Sequence, residues 1–204
     1  MTDKVDLKRS LDGYQARQGQ FRVLDVPDRR YLMVDGHGDP NSSPAFIEAV
    51  EALYPVAYAL KFTSKRELGR DYVVPPLEGL WWARDMEAFT SARDKSRWDW
   101  TLMLLVPDWL EDVTVVAAIE KAGASGLRLE TLSEGRCVQT LHVGSFDDEA
   151  GVLARLHDEF IPANGLRMVG THHEIYLSDF RRIAPEKRRT ILRQPVTGAL
   201  PTGL

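Results

Sequence analysis

A single cysteine, Cys137, stands among the 204 residues. No internal disulfide can form, and such usage fits a reducing compartment. Cys137 opens the run Cys137-Val138-Gln139-Thr140-Leu141, which predicts a packed core thiol rather than a nucleophile. No stretch approaches the ~20 apolar residues of a membrane span. The polar segment Met1–Arg9 has no apolar stretch of signal-peptide type. These features predict a cytoplasmic chain with no membrane partner. Positive charge is not in excess either, since the formal net charge is −4. The densest basic stretch, Arg181, Arg182, Lys187, Arg188 and Arg189, is interrupted by Asp179 and Glu186. It reads as a solvated face, so no nucleic-acid partner is expected. No P-loop, dinucleotide glycine fingerprint or Gly-x-Ser-x-Gly elbow is present, and no cofactor is expected.

Hydrophobic residues make up 44% and charged residues 27% of the chain, a balance that excludes disorder as the main state. The length suits one domain with a sizeable core. Residues 1–20 read as a loosely ordered arm or short helix, and residues 21–204 as a single domain. Strands are expected over 21–26 and 31–36, joined by a turn. Ser43 and Pro44 mark a helix start. That helix runs to about Lys65, with Phe46, Val50, Leu53 and Ala57 on one side and Pro55 predicted to kink or split it. Strands 76–83 and 98–106 follow, separated by a polar excursion. A helix over 109–122 stops at Gly123. Strands 126–132 and 137–143 flank the turn Ser133-Glu134-Gly135-Arg136. A helix over 147–161, a strand over 166–177 and a last strand over 190–196 complete the reading.

Strand, turn, helix, strand occurs twice, once from Tyr31 to Trp82 and once from Cys137 to Leu177. The repetition points to two stacked α+β halves.

Along the strand over 166–177, Val169, Thr171, His173, Ile175 and Leu177 point one way. Gly170, His172, Glu174 and Tyr176 point the other. The second set puts a carboxylate between an imidazole and a phenol, a makeup that suits either a solvated face or a cleft lining. His172 and His173 face opposite sides and cannot easily share one ion, so no metal is expected. Five tryptophans supply a second signal. Trp81 and Trp82 should face opposite sides of a strand, and Trp98 and Trp100 the same side. Such strands beside a Glu/Tyr strand could build an aromatic box for planar and cationic ligands.

The segments Val74-Pro75-Pro76-Leu77-Glu78-Gly79-Leu80-Trp81 and His172-His173-Glu174-Ile175-Tyr176-Leu177-Ser178-Asp179 resemble the two signature strands of GyrI-like small-molecule-binding proteins. Val56-Ala57-Tyr58-Ala59-Leu60-Lys61 and Leu141-His142-Val143-Gly144-Ser145-Phe146-Asp147-Asp148-Glu149 add to the resemblance, which is to free-standing members and runs from about Phe21 to Val196. It implies an α+β fold: two pseudo-twofold-related βαββ (SHS2-like) halves with antiparallel sheets, helices on one side, and a ligand cleft between the halves. It also implies a central glutamate matching Glu174, ringed by aromatic residues matching Tyr58, Tyr72, Trp81, Trp100 and Tyr176. His172, on the same strand face, joins the expected ligand contacts. Trp82 is not part of the shared motif, and Phe180 stands where a proline is common.

Two classes of function follow from the resemblance. Some members hydrolyse strained cyclopropane rings in genotoxic natural products, which would make Glu174 the base for water and Tyr72 or Tyr176 a hydrogen-bond donor. Others bind many drugs without turnover, and here the same residues would hold lipophilic cations. Inhibition of DNA gyrase, which the family name suggests, has no support in the charge pattern. The expected partner is a small aromatic or cationic molecule, and the chain is expected to act as a monomer. Matching Glu174-Ile175-Tyr176 onto Gly79-Leu80-Trp81 across the repeat predicts Trp81 toward the cleft and Trp82 toward the packed side.

Overall fold

The computed structural model describes residues 4–83, 94–179 and 181–198. Most of the polar excursion after Ala83, and Phe180, lie outside them. In chain order the elements are α1 (Leu7–Ser10), β1 (Arg22–Val26), β2 (Arg29–His37), α2 (Pro44–Glu67), β3 (Leu77–Trp82), β4 (Asp99–Leu105), α3 (Asp112–Ala122), β5 (Arg128–Leu132) and β6 (Gly135–Val143). They continue with α4 (Ala150–Ala154), a π-helical turn (Arg155–Phe160), α5 (Ile161–Ala163), β7 (Arg167–Met168), β8 (His172–Tyr176) and β9 (Arg189–Thr197).

These elements group into two compact units. The first takes the described residues of Met1–Ser10 with Arg29–Leu132, and the second takes those of Leu11–Asp28 with Ser133–Leu204. Within the first, antiparallel pairing gives the order β3-β4-β2-β5. Within the second, it gives β8-β9-β6-β1, with β7 pairing farther along β9. Strand, helix, strand, strand thus recurs with one strand order, β2-α2-β3-β4 matching β6, the helical segment 150–163, β8 and β9. The α+β class and antiparallel sheets expected from the sequence are present.

The first unit is built on α2, which packs against β2 and β4, with α3 beside α2 and β5. Pro44 sits at the first turn of α2, where its missing N–H costs nothing. Contrary to expectation, the helix continues through Pro55. An interior proline costs about 3 kcal/mol. Leu53, Val56 and Leu60, each at most 2% exposed around it, contribute about 1.5–3 kcal/mol apiece by burial, which is enough to hold both halves on the sheet.

Trp100 lies directly opposite Gly36 across the β2–β4 pair. A Cβ on Gly36 would come within 2.0 Å of the Trp100 ring, so the indole occupies the space that any side chain would need. Gly36→Ala is expected to destabilise the protein by about 3 kcal/mol, the upper part of the usual overpacking cost. A urea titration followed by tryptophan fluorescence measures it.

The second unit holds two apolar clusters. One joins Val138, Leu156, Ile161, Leu166 and Val196, and the other Tyr14, Leu141, Ile175 and Ile191. The helix expected over 147–161 is helical along its length but winds through the π turn. The strand expected over 166–177 is divided. Gly170 adopts a left-handed φ of 62°, which turns the chain between β7 and β8. Val169 stays bound there through its N–H to the Pro195 carbonyl and its own carbonyl to the Gln194 amide.

Candidate functional site

The short strand β8 carries the expected acid. His172, Glu174 and Tyr176 occupy alternate positions and so share one face, as the period of two requires. The Tyr176 hydroxyl donates to Glu174 Oε2 at 2.8 Å. The other carboxylate oxygen, Oε1, lies 3.7 Å from His172 Nε2. The Glu174 side chain is 13% exposed, which places a carboxylate at the margin of an apolar surrounding. Phe146 packs edge-on against Tyr176 with ring centroids 5.7 Å apart, and the Arg188 guanidinium lies over the Phe146 ring.

Behind His172 stands a residue that the sequence reading missed. His157, from the π turn, sets its ring at 85° to that of His172 with centroids 5.8 Å apart. Burial, with the charge of His172 adding to it, lowers the His157 imidazole to about 4, so it is neutral at physiological pH. Its Nε2 is buried with no hydrogen-bond partner among the described atoms.

His173 points the other way and enters a different network. Its Nδ1 lies 2.9 Å from Glu134 Oε1, and Arg193 Nη1 donates to Glu134 Oε2 at 2.7 Å. Arg193 Nε also donates to Gln139 Oε1, and Nη2 to the Gly13 carbonyl. Burial alone would raise the Glu134 carboxyl, but His173 and Arg193 overcome it and hold the group at about 2. Cys137 is fully buried. Burial and the Glu134 charge push its thiol up to about 12, as a core thiol requires.

Of the aromatic residues expected around Glu174, Tyr176 shares its strand, whereas Tyr58, Tyr72, Trp81 and Trp100 lie in the first unit. Trp100 is fully buried, edge-on to Phe46 at 5.3 Å, and its Nε1 donates to the Gly38 carbonyl. Trp81 stacks with Phe46 and meets Trp98 edge-on. It is 4% exposed, whereas Trp82 is half-buried. The accessibility of the two indoles is thus the reverse of that expected. Trp81 shares the α2 face with Phe46, and alternation turns Trp82 to the other face. Tyr72 is buried edge-on to Trp109, and burial raises its phenol, which therefore stays protonated. Tyr58 is 47% exposed, flanked along α2 by Tyr54 and Phe62 at 6.4 Å each.

Residues 19–196 match the family of the GyrI-like small molecule binding domain. The chain belongs to this family. Among solved structures, an uncharacterized conserved protein from Listeria innocua is 37% identical, with a TM-score of 0.84, over 95% of this chain and all of its own. A hydrolase from Listeria innocua is also 37% identical, with a TM-score of 0.83, over 96% of this chain and all of its own. The C-terminal domain of EcmrR, 11% identical over 88% of this chain and 98% of its own, has a TM-score of 0.57 and shares the fold alone. No curated protein matches the chain. Among the described residues of this GyrI-like protein, no helix is long and apolar enough to cross a membrane.

Proposed function

We propose that this GyrI-like protein binds bulky aromatic molecules, cationic ones among them, at Glu174, and that it hydrolyses strained cyclopropane rings fused to conjugated aromatic systems. The observation that carries the proposal is the Glu174 carboxylate, little exposed and oriented by the Tyr176 hydroxyl at 2.8 Å. A base must be aimed as well as ionised. With Oε2 taken by Tyr176, Oε1 is the oxygen left to receive a proton from water. Water oxygen bonds to the cyclopropane carbon as a ring C–C bond breaks. The electron pair of that bond passes into the conjugated system as a phenolate, which then takes up a proton. Tyr176 acts on Glu174 in this scheme. Tyr72, kept protonated by burial, is the second expected donor, and Tyr72→Phe removes its hydroxyl. Tyr58 remains the proposed aromatic contact, and His172 and Tyr176 the polar ones, while Trp81 and Trp100 pack against Phe46 instead. The hydrolase from Listeria innocua supports the catalytic half of the reading.

Binding without turnover is the second reading, favoured by the same carboxylate, which can serve as countercharge to a lipophilic cation. Incubation with a duocarmycin-type cyclopropane compound and mass analysis separates the two. Addition of one water supports hydrolysis. Unchanged compound retained by the protein supports binding alone.

A further inference from the structure

The side of α2 turned away from the sheet is not uniformly polar. Phe46, Leu53, Val56 and Leu60 are buried, as the core side of an amphipathic helix should be. Along the other side, Ile47, Tyr58 and Phe62, with Leu68 at the C-cap, are each about half exposed or more. Single exposed apolar residues need no explanation, but a contiguous row of them marks a contact surface. Tyr54, Tyr58 and Phe62 follow one another at one-turn intervals, with ring centroids 6.4 Å apart. Glu51 and Lys65 stand in the same row. From Ile47 to Leu68 its members recur every three or four residues, the spacing of a helix-pairing seam. At ~1.5 Å per residue the seam is about 30 Å long.

The seam is complementary to itself. Its N-terminal half carries Glu51 and its C-terminal half Lys65, both exposed. Lys65 reaches Asp71 at 3.3 Å, and the buried Lys61 holds the same carboxylate, so Lys65 can turn elsewhere at the small cost of an exposed pair. A second copy laid antiparallel, with the two Tyr58 rings at the twofold axis, sets Tyr54 against Phe62, Glu51 against Lys65 and Ile47 beside Leu68. Apolar residues meet apolar ones and each charge meets its opposite. In such an isologous contact every pairing occurs twice. A parallel arrangement would set Glu51 against Glu51 and Lys65 against Lys65.

We propose that two copies of this chain pair through this seam, α2 antiparallel to α2, in a reversible dimer. This replaces the monomer expected from the sequence. The centre of the seam is aromatic and the charges flank it, the arrangement in which a few large residues carry the affinity. A seam one helix wide stands at the small end of specific interfaces, so dissociation in the micromolar range is expected. Tyr58 lies at the axis, so a second copy and an aromatic ligand at Tyr58 exclude one another. The dimer goes beyond the ligand reading and holds whether or not ligands use Tyr58.

Sedimentation velocity of the ligand-free chain is the test. Between about 1 and 300 µM the mass is expected to move from that of one chain towards that of two. Glu51→Lys brings a like charge to Lys65 of the second copy, and Lys65→Glu brings one to its Glu51. Each variant alone should weaken the dimer at least about tenfold. Mixed together, the two should dimerise as the wild type does, because every charge then meets its opposite. Tyr58→Asp places two carboxylates at the axis and should leave only monomer, a result that does not depend on the charge variants. A wild type that stays monomeric at about 300 µM overturns the proposal. So does a dimer that persists unchanged in Tyr58→Asp, or a mixture of the two charge variants that dimerises no better than either alone.

Discussion

Glu174→Gln is expected to lower tetraphenylphosphonium affinity about tenfold and to leave triphenylphosphine oxide affinity unchanged. The substitution keeps the shape of the side chain and an acceptor for the Tyr176 hydroxyl but removes the charge. Charge and cation–π contributions in a desolvated site are worth about 1–2 kcal/mol, and tenfold is the corresponding scale. Neutral aromatics bind by stacking area, which the substitution does not alter. If the protein hydrolyses cyclopropanes, the same variant should lose roughly 10²–10⁴-fold in turnover, the usual worth of a general base. Its KM for a neutral substrate should hardly move, since the loss falls on the transition state. Equilibrium binding and single-turnover assays on the two proteins check both halves. A variant equal to the wild type in both would make Glu174 an ordinary strand residue and move the site elsewhere.

Arg193→Met carries the largest expected cost in stability. Arg193 is 2% exposed and Glu134 3% exposed at the side chain, so removing the guanidinium leaves a buried carboxylate with His173 alone of its two charged partners. Breaking a buried pair in this way costs about 3–5 kcal/mol. The double variant Arg193→Met with Glu134→Gln should recover part of that loss, because the stranded charge is gone. Chemical denaturation of the three proteins gives the coupling. The wild type should also weaken in acid through this group. Glu134 is held at about 2 in the folded protein, below its ordinary 4.5. Its contribution is therefore complete above about pH 4.5 and is lost as the pH falls towards 2. A pH series of urea midpoints for wild type and Glu134→Gln separates that loss from the general acid effect.

Much of this was visible in the chain before any coordinates. Alternation along 166–177 put His172, Glu174 and Tyr176 on one face, and β8 keeps them there. Apolar spacing located α2, and Gly123 closed α3 through a left-handed cap at φ 61°. The failures have specific causes. Pro55 was weighed as a local breaker, but the core on both sides of it decides. The break at Gly170 depends on a backbone turn that apolar spacing does not encode. His157 lay inside an expected helix with nothing to distinguish it from a surface residue, and only the π turn sets it against His172. Glu134 read as a turn residue. One signal was available for it: Arg193 interrupts the apolar strand Ile191-Leu192-Arg193-Gln194-Pro195-Val196, and a lone arginine there requires a buried acid. The indole pair was misassigned because the repeat placed Trp81 by analogy with Tyr176, while its own partner, Phe46 on α2, fixes its side.

The two units differ in how the chain supplies them. Arg29–Leu132 runs through the first without interruption, whereas β1 of the second must pair with β6, Arg22 against Gln139. During synthesis the first unit has all four of its strands, β2 to β5, once Leu132 has emerged. The second waits with its β1 strand unpaired until more than a hundred further residues have been made. Closing so long a loop costs entropy before any contact rewards it, and non-local pairings of this kind form slowly. The strand bearing Glu174 therefore belongs to the half that matures last. Nascent chains stalled after residue 132 would present the sheet around Trp100 already ordered, and β1 waiting as an exposed edge on which chaperones and neighbouring chains would compete.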